Sequence, residues 1–179
     1  MRFGVHVSIA DGFARSVARA EALGCDAFQI FAGNPRGWAR KPLTDTEAAG
    51  FQTALAASGL GPVVVHLSYL PNPASLDDQL YGRSLQTLRE DFARASRLGA
   101  AFFVLHPGTC APEHKAEALA RVIRGIEAAL AEVTGPIMLL LENQGSRRRD
   151  LAADLAELVL LLENLDPVRV GICLDTCHA

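Results

Sequence analysis

Short apolar runs alternate with longer amphipathic segments along the whole chain. Six runs have the continuous apolar character of strands buried on both faces: residues 3–8, 26–31, 62–66, 101–106, 136–142 and 169–175. Five segments between them have helical periodicity, at about 13–23, 44–58, 76–98, 113–132 and 150–165. Thr44 and Glu47 have the spacing of a capping box at the start of the second helix. Alternation of strands and helices at this spacing predicts βαβ units and a parallel sheet.

Two α/β architectures fit this alternation, a doubly wound open sheet and a closed (β/α)₈ TIM barrel. The turn after the first strand, residues 6–13, lacks the glycine pattern of dinucleotide-binding sheets, which weakens the first alternative. Six strands do not close an eight-stranded barrel. We therefore expect residues 1–179 to form a single incomplete TIM-barrel domain, truncated to about six strands and five helices, and we interpret the chain as a fragment.

Residues able to bind a metal stand at the ends of successive predicted strands. His66, His106, Glu142 and Asp175 end the third to sixth strands, and His178 follows in the next turn. A single histidine at a strand end is more often a structural residue than a metal ligand. Four potential ligands at four successive strand ends are much less often a coincidence. TIM barrels build their sites at the carboxyl ends of their strands. Imidazoles with carboxylates suit zinc or manganese, and a metal ion there activates water near neutral pH. The pattern predicts a metal-dependent barrel enzyme.

Composition and charge narrow the class of protein. Half of the 179 residues are hydrophobic and 21% are charged, as in globular proteins. No apolar run is long enough to span a membrane and no secretory signal begins the chain, so we expect a cytoplasmic protein without a membrane partner. The four cysteines fit neither a zinc-ribbon nor a CxxC spacing and are expected to be free thiols, with Cys173 and Cys177, four positions apart, as an alternative metal pair. A net charge of −3 argues mildly against a nucleic-acid partner, although a local basic patch would suffice.

Several motifs occur in an order that resembles the endonuclease IV family. They are GVHVS, FQIFAGNPRGW, HLSYL, LHPGT, LEN and CLDTCHA, and they spread over the whole chain. The resemblance implies a (β/α)₈ barrel that holds three zinc ions. It also implies hydrolysis of the phosphodiester 5′ to an abasic site in DNA, through a zinc-bridging hydroxide.

The resemblance assigns a role to each candidate ligand. It implies that His66 and His106 bind the first zinc ion and that Glu142, the catalytic carboxylate, bridges the first ion to the second. Asp175 would bind the second ion and His178 the third. Leu67 stands where the family often has an acidic residue, so His66 is expected to lack a side-chain partner.

The same resemblance implies contacts with DNA. Arg36 would enter the minor groove, and Tyr69 with Leu70 would wedge into the duplex at the lesion. The implied partner is double-stranded DNA with abasic sites, and the full-length enzyme is expected to be a monomer. Arg40 and Lys41 would join Arg36 in a basic cluster that either contacts phosphates or is a solvated loop. Trp38, in the same motif, is expected to pack within the loop.

Two other functions stay open at this point. A divalent-metal sugar isomerase or epimerase uses similar residues on the same kind of barrel, although the NPRGW and HLSYL motifs favour DNA. The other alternative is a catalytically incomplete fragment that binds only metal or DNA. The family carries further ligands beyond the position of Asp175 and His178, so we expect weak or no nuclease activity from the 179 residues alone.

Overall fold

The computed structural model describes residues 1–145 and 149–178. It has six strands, five α-helices and a short 3₁₀ turn at Pro112–His114. The strands are β1 (Gly4–His6), β2 (Ala27–Phe31), β3 (Val63–His66), β4 (Phe102–Leu105), β5 (Met138–Glu142) and β6 (Val170–Cys173). The helices are α1 (Phe13–Ala22), α2 (Asp45–Ser58), α3 (Asp78–Arg97), α4 (Lys115–Glu132) and α5 (Leu155–Glu163).

All six strands lie in one parallel sheet, in the order β1-β2-β3-β4-β5-β6. Strands that are neighbours in sequence are therefore neighbours in space, with a helix in each connection, as in a TIM barrel. This order excludes a doubly wound sheet, in which the strand order reverses at a switch point. The prediction of a TIM-barrel fold with six strands and five helices is confirmed.

Helix boundaries follow the capping signals of the sequence. The Thr44 side chain accepts from the backbone N–H of Glu47, and the Glu47 carboxylate accepts from the N–H of Thr44, which completes the predicted capping box of α2. The last helix, α5, begins later than predicted because the Asp154 side chain caps it by accepting from the N–H of Ala156. In the described residues, no helix combines the length and the hydropathy needed to cross a membrane.

The two faces of the sheet have different surroundings. One face packs against the helices and forms the core, where Phe103 on β4 and Phe92 on α3 meet edge to face with ring centres 5.3 Å apart. The other face looks into the barrel and is half-buried at Val64, Phe102 and Leu140. Since side chains alternate along each strand, this inner face ends at the candidate ligands.

Side-chain amides hold three loops together at the carboxyl ends of the strands. The Asn72 side chain donates to the carbonyl of Thr109 (2.9 Å) and accepts from the N–H of Thr109 (3.0 Å). Gln144 accepts from the N–H of Gly108 (2.9 Å). Gly108 has φ +105°, and a Cβ there would lie 2.2 Å from Asn72 Oδ1, so only glycine fits this approach.

Candidate metal centre

The five predicted ligands converge on one cavity at the carboxyl ends of the strands. This cavity has a volume of about 1030 Å³ and is lined by the ends of β1 and β2 and by the loops that follow β3, β4, β5 and β6. Its lining includes every candidate metal ligand: His66, His106, Glu142, Asp175 and His178. These residues are up to 112 positions apart in sequence (178 − 66), so the barrel topology alone brings them together.

The ligands form two groups that share Glu142. The ligand atoms of His66, His106 and Glu142 all lie within 4.8 Å of one another, and so do those of Glu142, Asp175 and His178. Glu142 Oε2 is 3.1 Å from His66 Nε2 and 3.6 Å from His106 Nε2. Its other oxygen, Oε1, is 3.7 Å from His178 Nδ1. A carboxylate with one oxygen toward each group has the arrangement of a bridging ligand.

The hydrogen bonds of His66 fit metal binding. Its Nδ1 lies 2.6 Å from the carbonyl oxygen of Leu67, which can only accept, so Nδ1 carries a proton and Nε2, 3.1 Å from Glu142 Oε2, is the nitrogen directed at the candidate metal centre. The backbone carbonyl thus orients the ring in place of the acidic side chain that Leu67 replaces. As expected, no acidic side chain at position 67 contacts Nδ1 of His66. The ring is nevertheless oriented, because the backbone carbonyl takes that place.

Asn143 fixes the turn that carries the last two ligands. Its side chain donates to the carbonyl of Asp175 (2.9 Å) and accepts from the N–H of Asp175 (2.6 Å). Its own carbonyl oxygen is 2.9 Å from His178 Nδ1, which leaves Nε2 of that ring free. The N–H of Cys177 donates to the Asp175 carboxylate and lowers the pKa of Asp175 by favouring the ionised form.

Burial favours the neutral form of one of the imidazoles. Desolvation lowers the pKa of His106 below its ordinary value of 6.5, while the neighbouring Glu142 carboxylate acts in the opposite direction. Desolvation likewise lowers the pKa of His6, which sits at the cavity with a hydrogen bond to Gln29. Neutral imidazole is the form that binds a metal, so the environment of His106 suits it to a ligand's role.

The metal-free protein is expected to lose stability as the pH falls below 6.5. The unfolded chain binds a proton at His106 near pH 6.5, whereas the folded chain does so only at lower pH, so acid favours the unfolded state. Urea unfolding between roughly pH 7.5 and 5.5 measures this slope. The change His106→Gln should reduce the dependence of the unfolding free energy on pH. The contribution of His6, whose pKa is also lowered, should remain. The surface change His114→Gln is the control, and an equal reduction there would contradict the assignment.

The predicted DNA-contacting residues lie in two different settings. Tyr69 and Leu70 line the cavity, and Tyr69 is 70% exposed. Arg36 is exposed in the loop between β2 and α2 and is not among the residues that line the cavity. Its N–H donates to the Asn34 side chain, which shapes this loop.

The prediction that Arg40 belongs to a basic cluster with Arg36 and Lys41 is wrong. Its side chain is 4% exposed and forms an ion pair with Asp91 of α3, so it faces neither phosphates nor solvent. Lys41 is exposed and lies 3.4 Å from Glu47. Trp38, expected to pack within its loop, is half-buried, and the Arg83 guanidinium of α3 lies 4.4 Å from its ring centre.

The sequence analysis missed two residues that organise the cavity. Phe31 contacts three aromatic side chains, with ring centres 4.3 Å from His6, 5.2 Å from Tyr69 and 6.0 Å from His66. It ends β2 and pairs with His66 in the sheet, so strand-end position could have found it. Asn143 was missed because its partner lies 32 residues away, in the turn after β6.

Comparison with known proteins places the chain in a family. The model of the xylose isomerase-like TIM-barrel family matches residues 17–179. Proteins named "Probable endonuclease 4" from Methanosphaerula palustris and Methanoculleus marisnigri are 43% and 42% identical to it, over 100% and 98% of this chain. The chain spans 64% and 63% of the length of these two relatives.

Solved structures agree with this placement. Endonuclease IV from Thermus thermophilus superposes with a TM-score of 0.87 at 38% identity, over 100% of this chain and 64% of that one. A D-psicose 3-epimerase has a TM-score of 0.76 but 17% identity, over 99% of this chain and 64% of that one, and so shares only the fold. The chain therefore belongs to the xylose isomerase-like TIM-barrel family, and the resemblance to endonuclease IV that its motifs indicated is confirmed.

Proposed function

We propose that this chain carries metal ligands and DNA-contacting loops of a zinc-dependent nuclease that cleaves duplex DNA on the 5′ side of abasic sites. The observation that carries the proposal is Glu142, whose two oxygens face two separate groups of ligands. Zinc bound there would activate water and neutralise the charge of the reacting phosphate. The likeness to proteins named endonuclease 4 supports the same chemistry.

The hydrogen bonds suggest how the ligands divide among ions. His66, through its Nε2, and His106 would hold one ion together with Glu142. Asp175 would hold a second ion, and Glu142 would be shared between the two ions. His178 turns its Nδ1 to the carbonyl of Asn143, so its free Nε2 would serve a third ion. The distances group His178 with Glu142 and Asp175, and its assignment to a third ion follows the motifs.

The chain's own residues would also bind and orient the DNA. At the cavity, Tyr69 is exposed and Leu70 is half-buried. There the two side chains would fill the gap left by the missing base. An abasic site costs least to open because one base is already absent. Arg36 would supply a local positive charge to the groove, which a chain with net charge −3 needs for binding phosphates.

Binding and cleavage of matched duplexes test the proposal. The zinc-loaded chain is expected to bind a duplex with one abasic site at least about tenfold more tightly than the intact duplex. Any nick should leave a 3′-hydroxyl directly 5′ to the lesion and should disappear with a chelator. Selective binding without nicking would support a role in binding alone. Equal affinity for the two duplexes, or epimerisation of a ketose, would contradict the proposal.

A further inference from the structure

Arg40 lies at the centre of a buried network between the two loops that the proposed function assigns to DNA. Its guanidinium has five N–H groups, and all five have acceptors in the structure. Nε and Nη2 bind the two oxygens of Asp91 at 2.9 and 3.2 Å. Nη1 donates to the carbonyls of Asn34 and Gly37. The remaining Nη2 hydrogen goes to the Ser68 hydroxyl at 2.6 Å.

This network joins three separate parts of the fold. Asn34 and Gly37 flank Arg36 within the β2–α2 loop, residues 32–44. Ser68 is buried at the start of the β3–α3 loop, residues 67–77, immediately before Tyr69. Asp91 lies in the middle of α3, and its side chain is 1% exposed. One side chain therefore fixes the position of Arg36's loop relative to that of Tyr69.

The same face of α3 holds the rest of the β2–α2 loop. Arg94 donates to the carbonyl of Lys41 at 2.8 Å, and Arg97 donates to the carbonyl of Leu43 at 2.9 Å. Arg83, about two turns before Asp91, lies over the Trp38 ring. Successive turns of α3 thus bind successive parts of the β2–α2 loop. Among these contacts in the described residues, only that of Arg40 also extends to the β3–α3 loop, through Ser68.

We propose that Arg40 is a positioning residue for substrate binding, which holds the loop of Arg36 at a fixed position relative to Tyr69, a residue that lines the cavity. This inference rests on the proposed function, because it assigns Arg40 an effect on DNA that Arg40 itself does not touch. Its buried guanidinium acts through the two loops, so the loss of Arg40 should change affinity for damaged DNA without changing metal content.

The test replaces the ion pair as a unit. The double change Arg40→Met with Asp91→Leu leaves no unpaired buried charge, and such replacements usually preserve folding. Ser68→Ala removes only the link to the β3–α3 loop. Trp38, the only tryptophan of the chain, reports the position of the β2–α2 loop by its fluorescence in the absence of DNA. Arg89→Met with Glu132→Leu is the matched control, because that pair joins α3 to α4 and touches neither loop.

The double variant should show Trp38 emission at longer wavelength, with stronger quenching by acrylamide. Its zinc content should equal that of the unchanged protein, and its affinity for the abasic duplex should fall about tenfold. Ser68→Ala should lower that affinity without the Trp38 shift, since Arg40 still binds its own loop. The control pair should change none of these quantities.

A double-mutant cycle with Arg36→Ala separates positioning from a general structural effect. If Arg40 acts through Arg36, then Arg36→Ala should cost less affinity in the Arg40→Met/Asp91→Leu background than in the unchanged protein. Equal losses in both backgrounds, or an unchanged Trp38 spectrum, would overturn the inference. If the unchanged protein shows no preference for abasic DNA, the proposed function fails instead, and the Trp38 spectra still decide whether Arg40 fixes the loop.

Discussion

Replacing Glu142 with glutamine is expected to weaken zinc binding by at least about a thousandfold, or ~4 kcal/mol. Glu142 is the only residue common to the two groups of ligands found in the described residues, so its loss removes a negative charge from both. The neutral amide has nearly the same shape and fits the same buried space, so the fold should persist. Competition with a chromophoric chelator measures the affinity, and circular dichroism checks the fold.

The control for this change is Glu163→Gln at the exposed end of α5, because Glu163 is not among the residues that line the cavity. It removes the same charge from the protein and should leave zinc affinity unchanged. Zinc binding by the Glu142 variant within about tenfold of the unchanged protein would show that the carboxylate is not a shared ligand. The proposed metal centre would then be untenable.

Replacing Asp91 alone with leucine should lower the free energy of unfolding by about 3–5 kcal/mol. The Arg40 guanidinium, 4% exposed, would then be a buried cation without its carboxylate. Adding Arg40→Met should restore most of the stability, because the pair is then replaced by apolar groups of similar size. Urea unfolding of the single and double variants at neutral pH measures both values.

The exposed pair Arg97–Asp45 offers the comparison for this prediction. The Asp45 side chain is fully exposed, so Asp45→Ala should change stability by less than about 1 kcal/mol. Two results would contradict the prediction: a loss of unfolding free energy in Asp91→Leu no larger than this, or a double variant as unstable as the single one. Either would show that Asp91 does not stabilise the buried charge of Arg40.

Much of the fold could be predicted because the sequence signals are local. Each strand is a short apolar run, and each helix has its own periodicity and caps, as at Thr44 and Glu47. Strand order followed from the βαβ pattern, since consecutive parallel strands joined by helices are normally neighbours. The ligand positions followed from strand ends, because a barrel gathers the carboxyl ends of its strands.

What the sequence could not supply was the identity of long-range partners. Arg40 was expected among exposed basic residues because its neighbours Arg36 and Lys41 are charged, whereas its partner Asp91 is 51 positions away on a helix. Nothing local distinguishes that aspartate from Glu90 beside it, which is exposed. Asn143 and Asn72 likewise bind backbone groups of loops whose paths only the folded chain defines.

The amide side chains of Asn72 and Asn143 have a thermodynamic consequence for any ligand of the cavity. Each satisfies both the N–H and the carbonyl of a residue in a neighbouring loop, much as a strand would. The conformational entropy of these loops is therefore lost when the chain folds, not when a ligand arrives. Association then pays less for ordering the protein, so more of the contact energy remains as affinity.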